Sequence, residues 1–136
     1  MDKPIQRRFE PIPVEVEAIG KKVLDAAYAV HTALGPGLLE SVYEACLAHK
    51  IRQQRVEVET QVVVPVMFEG VRVETGLRLD LLAARLVIVE IKAVETMIPL
   101  YEAQLITYLK VTGLRLGYLI NFNVVHLKDG IKRMVV

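Results

Sequence analysis

Two ionisable side chains interrupt an otherwise apolar run, VIVEIKAVE, from Val87 to Glu95: these are Glu90 and Lys92. Burying either charge alone is costly. Read as a strand, the run places Leu86, Ile88, Glu90 and Lys92 on one face and Val87, Val89 and Ile91 on the other. Upstream, LRLDLL carries Asp80. The same alternation predicts Arg78, Asp80 and Leu82 on one face and Leu77, Leu79 and Leu81 on the opposite one. A hairpin turning at Ala83 to Arg85 would set Asp80 beside Ile88 or Glu90, so that two carboxylates and one lysine converge on one end of a sheet. Like charges at that separation repel unless a cation lies between them. Lys92 supplies one positive charge and a divalent ion supplies two; an oxygen-only ligand set favours Mg²⁺ or Mn²⁺ over zinc. Such an ion binds a phosphate oxygen and lowers the pKa of a water, while a nearby lysine orients or activates that water and steadies developing charge. That is the chemistry of phosphodiester hydrolysis. The same three residues also fit an exposed salt-bridge ladder, and their spacing alone does not choose between the readings.

The elements that must position these residues can be read from periodicity. Residues 1–14, with three prolines and mixed charge, read as an irregular lead-in, and 15–136 as one domain. Val16, Ile19, Val23, Ala26, Ala27, Val30 and Leu34 recur at three- and four-residue steps, which predicts an amphipathic helix ending at Gly35-Pro36. A second helix is expected to show Leu39, Val42, Tyr43, Cys46, Leu47 and Ile51 on one face and to end near Gln54. Glu40 falls at the margin of that stripe, either next to a site or as a first-turn acid favourable to the helix dipole. The period then becomes extended: VEVETQVVVPVMF and a segment from Val71 to Leu82 flank Glu69-Gly70, a hairpin signal. The Glu90 strand follows. Pro99 and Gly113 bracket a third helix, on which Gln104 and Tyr108, four residues apart, share a face; Tyr108 would serve equally well as core packing. LRLGYLINFNV is a further strand, and IKRMVV an optional edge strand.

Composition bounds the function classes. The chain is 136 residues long, 53% hydrophobic, with a formal net charge of +1, which gives no global attraction to nucleic acid. From Lys110 onward Lys110, Arg115, Lys128, Lys132 and Arg133 face a single acid, Asp129, a distribution that suits an anion-facing side or a merely solvated one. Cys46 is the only cysteine, so an internal disulfide and a thiolate metal cluster are excluded, and a reducing compartment is expected. The first seventeen residues lack the apolar region of a signal peptide and no run is long enough to span a membrane, so the expected location is the cytoplasm, with no membrane partner. His31, His49 and His126 are not spaced as metal ligands on one element, and no glycine-rich phosphate loop is present.

Asp80 followed by Glu90-Ile91-Lys92 resembles the D…(D/E)-x-K signature of the PD-(D/E)XK nuclease superfamily. More closely, LGPGLLESVYEACL at 34–47, with Gly37, Glu40 and Tyr43, resembles the motif of the GxxExxY proteins, as do VEIKAVE, EAQLITYLKVTG and LINFN…LKDGIKRMV. The resemblance covers roughly residues 15 to 135. It implies a restriction-endonuclease-like α/β core, a mixed sheet flanked by helices; with the extra leading helix the order is α-α-β-β-β-α-β. It implies Asp80 and Glu90 as metal-binding carboxylates for Mg²⁺ or Mn²⁺, Lys92 as the catalytic lysine, and Glu40 as an additional acid at the site. Gln104 and Tyr108 match a Q-x-x-x-Y element and, with Tyr43, would position ligands or substrate. Arg78 would bind phosphate or neutralise a neighbouring acid. Two positions depart from the pattern: Tyr101 stands where a histidine is frequent, and Leu79 replaces the proline before Asp80. The implied activity is a metal-dependent nuclease acting on DNA or RNA, with a homodimer as the expected assembly. The alternative is a catalytically silent module binding nucleic acid or protein on the same scaffold.

Overall fold

The computed structural model describes residues 10–136; the lead-in expected at 1–14 lies mostly outside them. Three α-helices surround a five-stranded sheet: α1 (Val14–Leu34), α2 (Glu40–Gln53), β1 (Val58–Phe68), β2 (Val71–Ala83), β3 (Val87–Lys92), α3 (Pro99–Thr112), β4 (Leu116–Asn121), and β5 (Ile131–Val135) after a 3₁₀ turn at Leu127–Gly130. The strands lie in chain order. All neighbours are antiparallel except β3 and β4, which run parallel, Val87 beside Leu116 through Lys92 beside Asn121. A parallel pair requires a crossover, and α3 supplies it.

Each helix covers the face its sequence dictates. On one side of the sheet, Val16, Val23, Ala26, Ala27 and Val30 of α1 and Tyr43, Leu47, Ala48 and Ile51 of α2 pack with Leu81, Val87, Val89, Ile91, Leu116, Tyr118 and Ile120. On the other, Leu105 and Leu109 of α3 pack with Leu79, Leu82, Ile88 and Leu119. Because β3 and β4 are covered on both faces, they read as nearly unbroken apolar runs. Gly117 lets α3 come close: a Cβ there would lie 3.0 Å from Leu105 Cδ1.

Two helix details differ from the sequence reading. The second helix starts at Glu40, so Leu39 precedes it and is 73% exposed, while Val42 also faces outward. Its buried stripe runs through Tyr43, Leu47, Ala48 and Ile51 instead. Glu40, expected at the stripe's margin, is exposed. The C-terminal tail forms β5, so the optional edge strand is present.

Candidate active site

Glu90 lies on β3, the middle strand, and its side chain leaves the sheet on the Ile88 side, beneath α3. It is 5% exposed, which rules out the reading of this acid as part of a solvated ladder. The β2–β3 ladder pairs Ala83 with Val87, Leu82 with Ile88 and Leu81 with Val89, and goes no further. The next step would oppose Asp80 and Glu90. There the carboxylates take over as acceptors: the Ile91 N–H donates to Asp80 Oδ2 at 2.9 Å, and the Asp80 N–H to Glu90 Oε1 at 3.4 Å.

On its other side β2 loosens at the same residue. The β1–β2 ladder joins Thr60 to Leu81 and Val62 to Leu79, skipping Gln61, which would oppose Asp80 and has φ 51°. A left-handed backbone at a non-glycine residue is strained, and here it marks the break. The Gln61 amide turns to Glu44 of α2, at 2.8 Å from its Oε1. The break shifts the phase of β2: Leu79 packs with Leu82 in the α3-side core, whereas Leu81 packs in the other. The expected set Leu77, Leu79 and Leu81 on one face is therefore corrected. Arg78 alternates with Leu77 and Leu79, both on the α3 side, and so stands exposed on the opposite face rather than sharing the face of Asp80.

The two acids form a coupled pair. Burial first, then the Asp80 charge and hydrogen bonding to Asp80, push the Glu90 carboxyl up to about 9; the Asp80 main chain and the Lys92 ammonium pull the other way without prevailing. Without a further cation, Glu90 keeps its proton at neutral pH. Tyr108 of α3 feels the same pair. Its hydroxyl is held above the usual tyrosine range by burial and by the charges of Glu90 and Asp80, with the neighbouring Gln104 opposing. The lysine ammonium is steadied from α3 as well: Lys92 Nζ stands 4.4 Å from the centre of the Tyr101 ring, within cation–π range.

A family model described as the PD-(D/E)XK nuclease superfamily matches residues 17–134. The chain belongs to that superfamily. Searches of curated proteins and of solved structures give no match. The α/β architecture, a mixed sheet between helices, is consistent with the restriction-endonuclease-like fold of PD-(D/E)XK domains.

In this PD-(D/E)XK domain Asp80 and Glu90 are joined by main-chain to side-chain hydrogen bonds, and Lys92 and the Gln104–Tyr108 pair interact with their charges. Glu40 is the exposed first residue of α2, three and seven residues before Tyr43 and Leu47 and hence in line with the docked face of that helix. Tyr43 is fully buried against Phe122, with ring centres 4.6 Å apart. Its hydroxyl donates to the Gly35 carbonyl at 2.6 Å and accepts from the Leu38 N–H at 3.1 Å. It thereby fixes the Gly35–Leu38 loop that leads into α2. No cluster of three or more Asp, Glu, His or Cys placed to hold a metal occurs among the described residues.

Sequence reasoning missed Asn121. It is 2% exposed and stands beside Lys92 in the parallel β3–β4 register. Its Oδ1 accepts from the Val94 and Asn123 N–H groups, both at 3.1 Å, and its Nδ2 donates to the Val94 carbonyl at 3.0 Å. The segment leaving the lysine strand is thus clamped to β4. The only signal in the sequence was a polar residue at the end of a wholly apolar strand.

Proposed function

We propose that this chain is a metal-dependent nuclease that hydrolyses phosphodiester bonds in DNA or RNA, with Asp80 and Glu90 as carboxylate ligands and Lys92 as the catalytic lysine. The observation that carries this is a carboxyl only 5% exposed, Glu90, hydrogen-bonded to the main chain of a second acid, Asp80, whose own carboxylate caps the Ile91 N–H, with an ammonium two residues along the same strand. Such a pair is short of positive charge and offers oxygen alone, which suits Mg²⁺ or Mn²⁺. A Mg²⁺ site needs only one or two carboxylates when water and substrate phosphate fill the remaining positions. When bound, the ion would polarise phosphate and lower the pKa of a water.

The protein's own groups would do the rest. Glu90 would hold the ion as a carboxylate, and so would release its proton on binding. Asp80 is oriented by the Ile91 N–H, and so presents its second oxygen consistently. Lys92, backed by the Tyr101 ring, holds the attacking water or steadies charge on the phosphate. Gln104 and Tyr108 line the α3 side and position these groups. The silent binding module remains the second reading, and one observation favours it: among the described residues no third acid, Glu40 included, clusters with the pair to hold a metal.

Calorimetric titration with Mn²⁺ and Mg²⁺ tests the reading. Wild type should bind, and folded Asp80→Asn and Glu90→Gln should not. Affinity should rise with pH, with release of about one proton per ion below pH 9, because the ion must displace the Glu90 proton. Wild type and both variants titrating alike would sink the site. Metal binding with no cleavage of any DNA or RNA, single- or double-stranded, would favour the silent module.

A further inference from the structure

The hairpin of β1 and β2 outgrows the sheet. β2 has 13 residues but pairs with β3 only from Leu81 to Ala83. From Val71 to Asp80, no strand among the described residues lies along its side away from β1. The outer part of this arm is a two-stranded ribbon, and such a ribbon is marginal in water by itself. It also exposes apolar surface: Phe68 is paired across to Val71 and Val66 to Val73, and Phe68, Val71 and Val73 are 67%, 61% and 45% exposed on that one face. Contiguous exposed apolar side chains of this kind mark an interaction surface.

The two edges of the arm are not equivalent. That of β1 is blunted two ways: Pro65 lacks an N–H, and Gln61 has a left-handed backbone. The register shift puts Glu74, Thr75 and Gly76 of β2 opposite Pro65 alone, so the regular part of the β2 edge is Val71 to Val73, which has no proline, no left-handed residue and no lysine. It is the edge open to another strand.

Charge selects the partner. Between residues 62 and 79, Glu69 and Glu74 balance Arg72 and Arg78, so the arm has no net charge with which to hold phosphate. Arg72 and Glu74 are exposed and two residues apart on one face. An antiparallel copy of the same strand, centred on Val73, would put each Arg72 opposite Glu74 of the other chain. Centring on Arg72 or on Glu74 would oppose like charges, which is destabilising. A centre at Gly76 also opposes unlike charges, but falls at the bulge, where a Cβ on Gly76 would lie 2.3 Å from Val66 Cγ2.

We propose that two copies of this chain join edge to edge through β2, antiparallel and two-fold symmetric about Val73, with Arg72 of each copy facing the partner's Glu74. The interface is isologous, so it closes as a dimer rather than growing into a fibre. It doubles the apolar ribbon and continues the sheet from one chain into the next. The acid pair stays clear of the contact, because pairing about Val73 ends before Asp80.

Sedimentation velocity across a wide concentration range should find a dimer. Arg72→Glu and Glu74→Arg should each weaken self-association by roughly tenfold or more, since two opposed pairs change per dimer. The double variant Arg72→Glu/Glu74→Arg should restore it. In a Cys46→Ser background, Val73→Cys should cross-link two copies on oxidation, because residues facing each other across an antiparallel ladder lie within disulfide reach. A monomer at every concentration overturns the proposal, as does a dimer that ignores both charge reversals. A dimer that does not cross-link at Val73 overturns the register. A monomer whose nucleic-acid binding is lost on Phe68→Ala would assign the arm to nucleic acid instead.

Discussion

Asp80, Glu90 and Lys92 were legible as residues because charges inside an apolar strand are expensive and therefore conspicuous. What the sequence could not display was how they are held. Asp80 sits where β2 releases both neighbours, and the release is signalled by no glycine or proline but by a left-handed Gln61 on the adjacent strand. Asn121 was illegible for a related reason: an asparagine at a strand end looks like an ordinary boundary residue until its three hydrogen bonds to the Val94 and Asn123 main chain are seen. Its contribution is measurable. Asn121→Ala strands the main-chain groups of Val94 and should cost about 1–3 kcal/mol in urea unfolding. Asn121→Asp keeps the acceptor for both N–H groups but buries a carboxylate with one oxygen against the Val94 carbonyl, so it should destabilise as well, and more at pH 7 than at pH 4. A loss well below about 1 kcal/mol for Asn121→Ala would mean that the clamp contributes little.

At the scale of elements, turn chemistry separates what could be read from what could not. Glu69-Gly70 announces its hairpin and has φ values of 49° and 79°. Pro99 and Gly113 bracket α3 as expected, with Gly113 left-handed at φ 76°. The β2–β3 hairpin, which sets the register of the acid pair, turns at Ala84-Arg85 with φ 51° and 53°. Neither residue favours that conformation, so composition alone suggested only a short link there. This turn holds local strain, and relieving it should stabilise the fold. Ala84→Gly removes a left-handed penalty of about 1 kcal/mol, partly offset by the greater freedom of glycine in the unfolded chain, for a net gain of about 0.5 kcal/mol. Ala103→Gly, at an exposed position on α3, should instead cost roughly 1 kcal/mol. Opposite signs in chemical denaturation would establish that conformation, rather than side-chain contact, governs the first site.

The layered architecture was legible across the whole molecule because β3 and β4 are apolar on both faces and the helices are striped, whereas the balance of protons follows only from the assembled site. Glu90 has its carboxyl near 9 in the fold against an ordinary value of 4.5. Between these values the folded chain binds a proton that the unfolded chain has lost, so stability falls as pH rises through the window. The stabilising contribution is complete below 4.5 and gone above about 9. Glutamine mimics the protonated carboxyl and does not titrate. The stability of Glu90→Gln relative to wild type should therefore increase steadily from pH 5 to pH 9, by on the order of a few kcal/mol, while effects shared by both chains cancel. Denaturant unfolding at several pH values measures this directly, and parallel curves would mean that Glu90 is already ionised in the fold. A divalent ion bound by the pair would reverse the trend for wild type alone. The charge that burdens the sheet without metal is the charge that would bind it, so saturating Mg²⁺ should raise the unfolding midpoint of wild type most at high pH and leave Glu90→Gln unmoved.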